Sequence, residues 1–307
     1  MMKVLIVGSN GLVGKSLITA LSNNENIVEV ITSTRQDTDL FNYEQTQRLL
    51  ENSNPDILIN AAARVGGINA NNTKRTEFIL ENLKINTNLL EAAIPYSNMK
   101  IFNLGSSCIY PVNIENPIKE SSIMTGKLEK TNSPYAMAKL TAIEIGEAIS
   151  NQYGHKIINL MPTNLYGPND NFSEQDSHVI PGLIFRMHEA MLNNESRFEI
   201  WGTGNPLREF LYVEDLANAI SFLIDKNIDN KLLNIGSGEE ISIYNLAIKI
   251  KDVVGYKGEI IFDPNMPDGI ERKLLDSTKI NSLGWKPSTK LDLGLEKTYK
   301  WFLNNLC

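Results

Sequence analysis

VLIVGSNGLVG, residues Val4 to Gly14, sets an apolar run directly ahead of three glycines, Gly8, Gly11 and Gly14, at the spacing G-x-x-G-x-x-G. A short apolar run bounded by glycine reads as a buried strand, and the segment from Leu12 reads as a helix. At such a junction glycine lets the backbone approach a pyrophosphate, while the helix N-terminus offers unpaired N–H groups and the positive end of its dipole. Glycines in a plain turn would carry little weight. Placed after the first strand and ahead of a continued α/β alternation, they point to dinucleotide binding.

Outward from this loop, short β-branched runs at Val4–Val7, Val28–Thr32, Asp56–Asn60, Lys100–Leu104 and Ile157–Leu160 alternate with helical segments beginning near Leu12, Tyr43, Arg75 and Pro134. The alternation predicts a Rossmann-type, doubly wound parallel sheet with right-handed crossovers. After Tyr166-Gly167-Pro168 a polar stretch, NDNFSEQDSH, interrupts the pattern before a helix over Ile180–Leu192. We expect a dinucleotide-binding domain over residues 1–170, to which the chain returns at about 209–240, and a smaller α/β substrate-binding domain mainly over 171–307. In the second half, Ile243, Leu246, Ala247, Ile250, Val253 and Val254 fall on one face of a helix over Ser242–Val254, and Leu291–Leu303 reads as another amphipathic helix.

The chain has 307 residues, more than the about 100 to 200 of a single ordinary core, so two joined lobes with a cleft are expected. A hydrophobic fraction of 42% and a charged fraction of 21% are those of a globular protein with ample core material. The formal charge of -7 argues against nucleic-acid or anionic-membrane binding by bulk electrostatics, so any phosphate site has to be built locally. The two cysteines, Cys108 and Cys307, give no disulfide framework and suit a reducing compartment. No run of near 18 apolar residues and no metal-ligand cluster is seen, and a strand-like segment starts at Lys3, so a cytoplasmic location is expected.

The second strand ends in Thr32-Ser33-Thr34-Arg35 where an NAD enzyme would carry an acid for the ribose hydroxyls. Hydroxyls and the Arg35 guanidinium suit a 2'-phosphate instead, which makes NADP(H) the expected cofactor. Further on, SPYAMAKL places Tyr135 and Lys139 on one helical face, with Ser133-Pro134 as the helix start. A phenol of pKa about 10 is a poor proton carrier at neutral pH, and an adjacent ammonium, with the positive nicotinamide when oxidised, is expected to lower it. Tyr135 could then protonate a carbonyl oxygen as the carbon is reduced, with Ser106, at the end of the fourth strand, bonding the same oxygen. GSSCIYP, Gly105 to Pro111, adds Cys108 two residues after that serine. From the residues alone, Cys108 is a small buried hydrophobe more often than a reactive thiol, and His178 a polar helix start.

With these residues the chain resembles the extended short-chain dehydrogenase/reductases end to end. Within them, AAARVGGINANNT (61 to 73), LGSSCIYP (104 to 111), PYAMAKL (134 to 140), MPTNLYGPNDNF (161 to 172), SHVIPGL (177 to 183), PLREFLYVEDLA (206 to 217), VVGYKG (253 to 258) and PDGIERKLLD (267 to 276) are similar to the GDP-L-fucose synthase family. The resemblance implies NADPH-dependent C4 reduction of a GDP-linked 4-keto-6-deoxy sugar after inversion at C3 and C5. It makes Ser106, Tyr135 and Lys139 the reducing set, Cys108 the base and His178 the acid of the inversion. For the cofactor it implies Gly8, Ser9, Asn10, Gly11, Leu12, Val13, Gly14, Arg35, Asp39, Leu40, Ala61, Ala62, Ala63, Leu104, Lys139, Pro162, Asn164, Leu165 and His178. For the GDP-sugar it implies Cys108, Asn164, Arg186, Trp201, Arg208 and Asp268, with Arg208 suited to phosphate.

The resemblance also implies a homodimer built from helices flanking the sheet, over Thr76 to Ala93 and Pro134 to Tyr153. One departure bears on the cofactor: Asn10 stands where the family often carries an arginine, so preference for NADPH leans on Arg35 and NADH remains open. Two other functions stay open at this level, a GDP-keto-heptose C4 reductase without epimerase activity and a noncatalytic nucleotide-sensing module on the same fold.

Overall fold

Six parallel strands form the main sheet, in the order β2-β1-β3-β4-β5-β9. They are β1 (Met2–Val7), β2 (Ile27–Ser33), β3 (Ile57–Asn60), β4 (Lys100–Leu104), β5 (Lys156–Pro162) and β9 (Leu232–Ile235). The computed structural model describes residues 1–173, 176–229, 231–266 and 268–307; Glu174, Gln175 and Pro267, which fall in stretches quoted above, lie outside them. The five strands read from the sequence are all present, each within two residues of its expected bounds.

Covering on both faces explains why these strands read as continuous apolar runs. Val4, Ile6, Ile57, Ile59, Phe102 and Ile158 point to one side, where α1 (Leu12–Ser22) and α7 (Val213–Ile224) contribute Leu17, Leu21, Leu216 and Ile220. Leu5, Val7, Leu58, Ile101 and Ile157 point to the other. There α2 (Tyr43–Ser53), α4 (Arg75–Ala93) and α5 (Ser133–Tyr153) close the core with Leu50, Leu89 and Ala142. The doubly wound α/β fold is therefore as expected. β9 and α7 rejoin this sheet from late in the chain, as do Ile280 of α9 (Thr278–Ser282) and Trp285.

One row of the sheet is polar. Asn60, Asn103 and Asn159 are register partners on β3, β4 and β5. Asn60 Nδ2 donates to Asn103 Oδ1 at 2.9 Å, and Asn103 Nδ2 to Asn159 Oδ1 at 3.0 Å. Asn60 Nδ2 also reaches Asn86 Oδ1 of α4 at 2.9 Å, and its own oxygen accepts from the Ala62 N–H at 3.2 Å. All four amides are buried, and burial without such partners would be costly.

A second core gathers on α6 (Val179–Leu192), α8 (Ile243–Val254) and α10 (Leu291–Leu306), with the parallel pair β7 (Arg197–Trp201) and β11 (Glu259–Asp263). The expected apolar face of α8 is buried there at Leu246, Ala247, Ile250 and Val254; Ser242 Oγ caps the helix on Asn245 N–H, and Gly255 ends it at φ 82°. Phe172, inside the stretch read as a polar crossover, is buried against Trp301 and Phe302. Between the two cores runs β8 (Leu207–Tyr212), which pairs with β6 (Asn164–Tyr166), β10 (Glu240–Ser242) and β12 (Arg272–Lys273). Glu209 of β8 is buried, and its carboxylate accepts from the Gly238 and Leu275 N–H groups at 2.8 and 3.0 Å.

Candidate active site

The glycine loop is shaped by close approach. A Cβ on Gly8, at φ +75°, would lie 2.6 Å from Ala62 N, and one on Gly14 would lie 2.4 Å from Gly8 O. The same atom on Gly11 would meet only Gly8 O, at 3.6 Å, so this side of the loop is open. Ser33 O takes the Gly8 and Ser9 N–H groups at 3.0 and 3.2 Å, which ties the loop to the end of β2. Gly11 is the N-cap of α1, whose first turn carries no acid, so the N–H groups of Leu12, Val13 and Gly14 lack helical acceptors. Ser9 is buried beneath the loop and Asn10 is exposed. An open backbone face with free N–H donors fits a dinucleotide pyrophosphate.

At the end of β2, Arg35 is exposed and its guanidinium lies 5.0 Å from the Phe41 ring centroid. Lys84 of α4 reaches the same ring at 5.8 Å, a second cation that the sequence reading missed. Asp39 is engaged locally, Oδ1 accepting from Phe41 N–H at 3.0 Å, while Leu40 backs onto the sheet core. Asp37 is held below the usual carboxylate range by hydrogen bonds from Thr34. Two cations around Phe41 fit a 2'-phosphate better than bare ribose hydroxyls. Ala61, Ala62 and Ala63 line the adjoining strand end, where Ala61 N–H donates to Val7 O at 3.1 Å.

The helix start read at Ser133-Pro134 is the first turn of α5, and it brings Tyr135 and Lys139 beneath the end of β4. Lys139 is 2% exposed, and Nζ donates to Leu104 O at 2.6 Å while lying 5.9 Å from the Tyr135 ring centroid. Burial pushes its pKa down to about 8. The Ser106 hydroxyl hydrogen-bonds the Tyr135 phenol. The part of the expectation that rests on Lys139 is corrected: burial, and secondly the charge of an ionised Cys108 sulfur beside it, hold Tyr135 above the ordinary tyrosine range despite the Ser106 bond. The reason is that the ammonium is anchored on a carbonyl below the ring rather than on the phenol oxygen.

Cys108 sits in the short 3-10 turn Ser107–Ile109, its N–H donating to Ser106 Oγ at 3.2 Å. It packs with Ala70, Phe78 and Tyr135. Lys273 Nζ lies 3.8 Å from its sulfur, another contact the sequence reading did not anticipate. His178 is the N-cap residue of α6 and is exposed at the surface, yet enough protein packs around the ring that loss of solvating water lowers its pKa. Its position is set by the 66–67 turn. A Cβ on Gly67 would lie 2.4 Å from Ser177 O, Gly67 N–H donates to Asp176 O at 3.0 Å, and Lys74 pairs with Asp176 at 3.1 Å. Gly66 in turn rests against Phe78, which meets Tyr135 edge-on. The His178 segment and the Tyr135–Cys108 cluster therefore share one wall.

On β5 and β6, Pro162 is buried, Leu165 packs on the sheet core and Asn164 Nδ2 donates to Glu209 O at 2.8 Å. Trp201, 64% exposed, ends β7, and the turn after it holds Asp268 through the Thr203 N–H and hydroxyl at 2.9 and 2.7 Å. Arg208 is largely buried nearby and feels the Asp268 charge. These three come together, whereas Arg186 stands on α6 with its guanidinium over Phe198 of β7 at 5.2 Å. Among the described residues no group of three or more His, Cys, Asp or Glu could hold a metal.

The sequence profile of the NAD dependent epimerase/dehydratase family matches residues 4–236. The chain belongs to this family. Within the epimerase/dehydratases it is 45% identical to GDP-L-fucose synthase 1 of Arabidopsis thaliana over 305 residues, 99% of this chain and 94% of that protein. The resemblance to the GDP-L-fucose synthases therefore holds over the whole chain. Among solved structures, a GDP-6-OMe-4-keto-L-xylo-heptose reductase from C. jejuni has a TM-score of 0.91 at 30% identity, covering 98% of this chain and 97% of its own. A GDP-L-fucose synthetase from Naegleria fowleri bound to NADP has a TM-score of 0.89 at 28% identity, covering 99% and 94%.

Proposed function

We propose that the chain reduces C4 of a GDP-linked 4-keto-6-deoxyhexose with NADPH, after inversion at C3 and C5, giving GDP-L-fucose or a close relative. The observation that carries this reading is the convergence of Ser106, Tyr135 and Cys108 at the end of β4, with Lys139 anchored beneath them. The open glycine loop would hold the pyrophosphate, and Arg35 and Lys84 the 2'-phosphate. When bound, NADPH supplies the hydride for the ketone carbon.

The ketone oxygen would lie between the Ser106 hydroxyl and the Tyr135 phenol. A phenol kept protonated by burial is in the state a proton donor requires. The same two donors would stabilise the enolate formed when C3 or C5 loses its proton. Cys108 would take that proton and His178 return one from the other face of the ring. The lowered pKa of His178 makes any proton it carries readily given up. Trp201, Arg186, Arg208 and Asp268 would hold the GDP moiety, Arg208 contributing charge that the acidic chain as a whole lacks.

Residues 1–170 and the segment near 209–240 would form the cofactor domain, with 171–307 mainly the substrate domain. No described helix is long and apolar enough to cross a membrane, and a cytoplasmic location accords with the reduced thiols. A homodimer through α4 and α5 is supported by the exposed Leu80, Met137 and Tyr153 on those helices.

Product identification by NMR after incubation with GDP-4-keto-6-deoxy-D-mannose and NADPH tests the reading; no NADPH consumption would overturn it. In deuterated water without cofactor, label at C3 and C5 is expected. The second reading, C4 reduction of a GDP-keto-heptose, is favoured by the similarity to the C. jejuni heptose reductase. Relative kcat/KM on the two keto-sugars decides between them.

A further inference from the structure

Lys273 is held where it is by its neighbours on β12. Arg272, on the opposite side of the strand, pairs with Glu240 at 2.8 Å. The next two N–H groups are fixed, Leu274 on Asn116 Oδ1 at 2.8 Å and Leu275 on the buried Glu209 carboxylate at 3.0 Å. Lys273 itself makes no ion pair within 4.0 Å among the described residues. Its half-buried Nζ instead lies 3.8 Å from Cys108 Sγ, bridging 165 residues of sequence.

The charged groups around this pair leave the contact intact. Arg208 is the β8 register partner of Lys273, but its guanidinium donates to Leu207 O at 2.8 Å and feels Asp268. Glu129 feels the Lys273 charge, yet its carboxylate accepts from the Asn132 N–H at 2.9 Å and the Thr131 N–H at 3.0 Å. Tyr135, on the other side of the sulfur, is neutral while its phenol is protonated. One ammonium therefore faces the thiol.

We infer that Lys273 is a positioning residue whose ammonium holds the Cys108 sulfur as a thiolate aimed into the cleft, ready to accept a proton from carbon acids of the bound sugar. The inference rests on the reading of Cys108 as the base of the inversion. The thiol proton leaves to solvent, the thiolate then takes the C–H proton, and Lys273 keeps its own throughout. A thiolate beside a fixed cation is the reactive form of cysteine, whereas a thiol in an apolar wall of Ala70, Phe78 and Tyr135 would be inert.

The test uses full-length protein carrying Cys307→Ser, which leaves Cys108 as the single thiol. Iodoacetamide alkylation rates are measured across pH, with NADPH affinity by fluorescence as the check on folding. Lys273→Met and Lys273→Gln are expected to slow alkylation at pH 7 by about ten-fold and to move the whole profile to higher pH. Lys273→Arg should restore most of the rate. Deuterium uptake at C3 and C5 should fall in step. Superimposable alkylation profiles for the parent, Met and Gln proteins overturn the inference. Failure of the epimerase reading looks different: the parent takes up no deuterium, while alkylation still depends on Lys273.

Discussion

Tyr135 sits 9% exposed between Ser106 and Cys108, and in the proposed reaction its protonated phenol is the group on which reduction would turn. Tyr135→Phe is expected to lower kcat by about 10²-fold or more with NADPH affinity nearly unchanged, which single-turnover kinetics and fluorescence titration would separate. Lys139 adds a pH dependence with two opposite signs. Its charge is lost as pH rises through about 8, so kcat/KM should fall on that side. Stability moves the other way. The folded pKa lies below the unfolded value near 10.5, so the unfolded chain binds more protons between about 8 and 10.5 and this group favours folding increasingly across that window. Urea midpoints at pH 7.5 and 9.5 should therefore rise for the wild type relative to Lys139→Met while activity declines. Tyr135 and Lys139 were legible because both lie on one helix at a fixed spacing. The Lys273–Cys108 contact was not, because no local pattern links residues brought together by the pairing of β12 with β8.

At the scale of elements, the asparagine row binds β3, β4 and β5 across their register. Asn103→Ala would leave a buried donor on Asn60 and a buried acceptor on Asn159 without their partner, costing about 2 to 6 kcal/mol at roughly 1–3 kcal/mol for each orphaned group. Chemical denaturation would measure it. Strands of the first half were legible from apolar runs, since a sheet covered on both faces demands them. β10 and β12, with three and two residues, are too short to show a period, and they exist because β8 offers them backbone partners. Phe172 was hidden for a related reason: one aromatic anchor in a polar stretch has no periodicity, and only the stacked Trp301 reveals it.

For the molecule as a whole, the outer face of α4 and α5 is the surface to probe. A cavity of about 450 Å³ elsewhere lies between α8 and α10, whereas a shallower one of about 350 Å³ is lined by Arg75, Thr76, Ile79, Ser133, Pro134 and Met137 on the proposed dimer helices. Met137 is 45% exposed, so Met137→Asp should leave the monomer folded and shift its mass in light scattering from dimer to monomer. An unchanged mass would remove α5 from the interface. The arrangement of cores also carries a consequence for the chemistry. Lys139 loses its charge as pH rises through about 8, but the cross-tie of Asn60, Asn103 and Asn159 on the strands that carry the site is built from amides that never ionise. The register of β3, β4 and β5 is thus held by contacts that keep their charge state on either side of the lysine's titration.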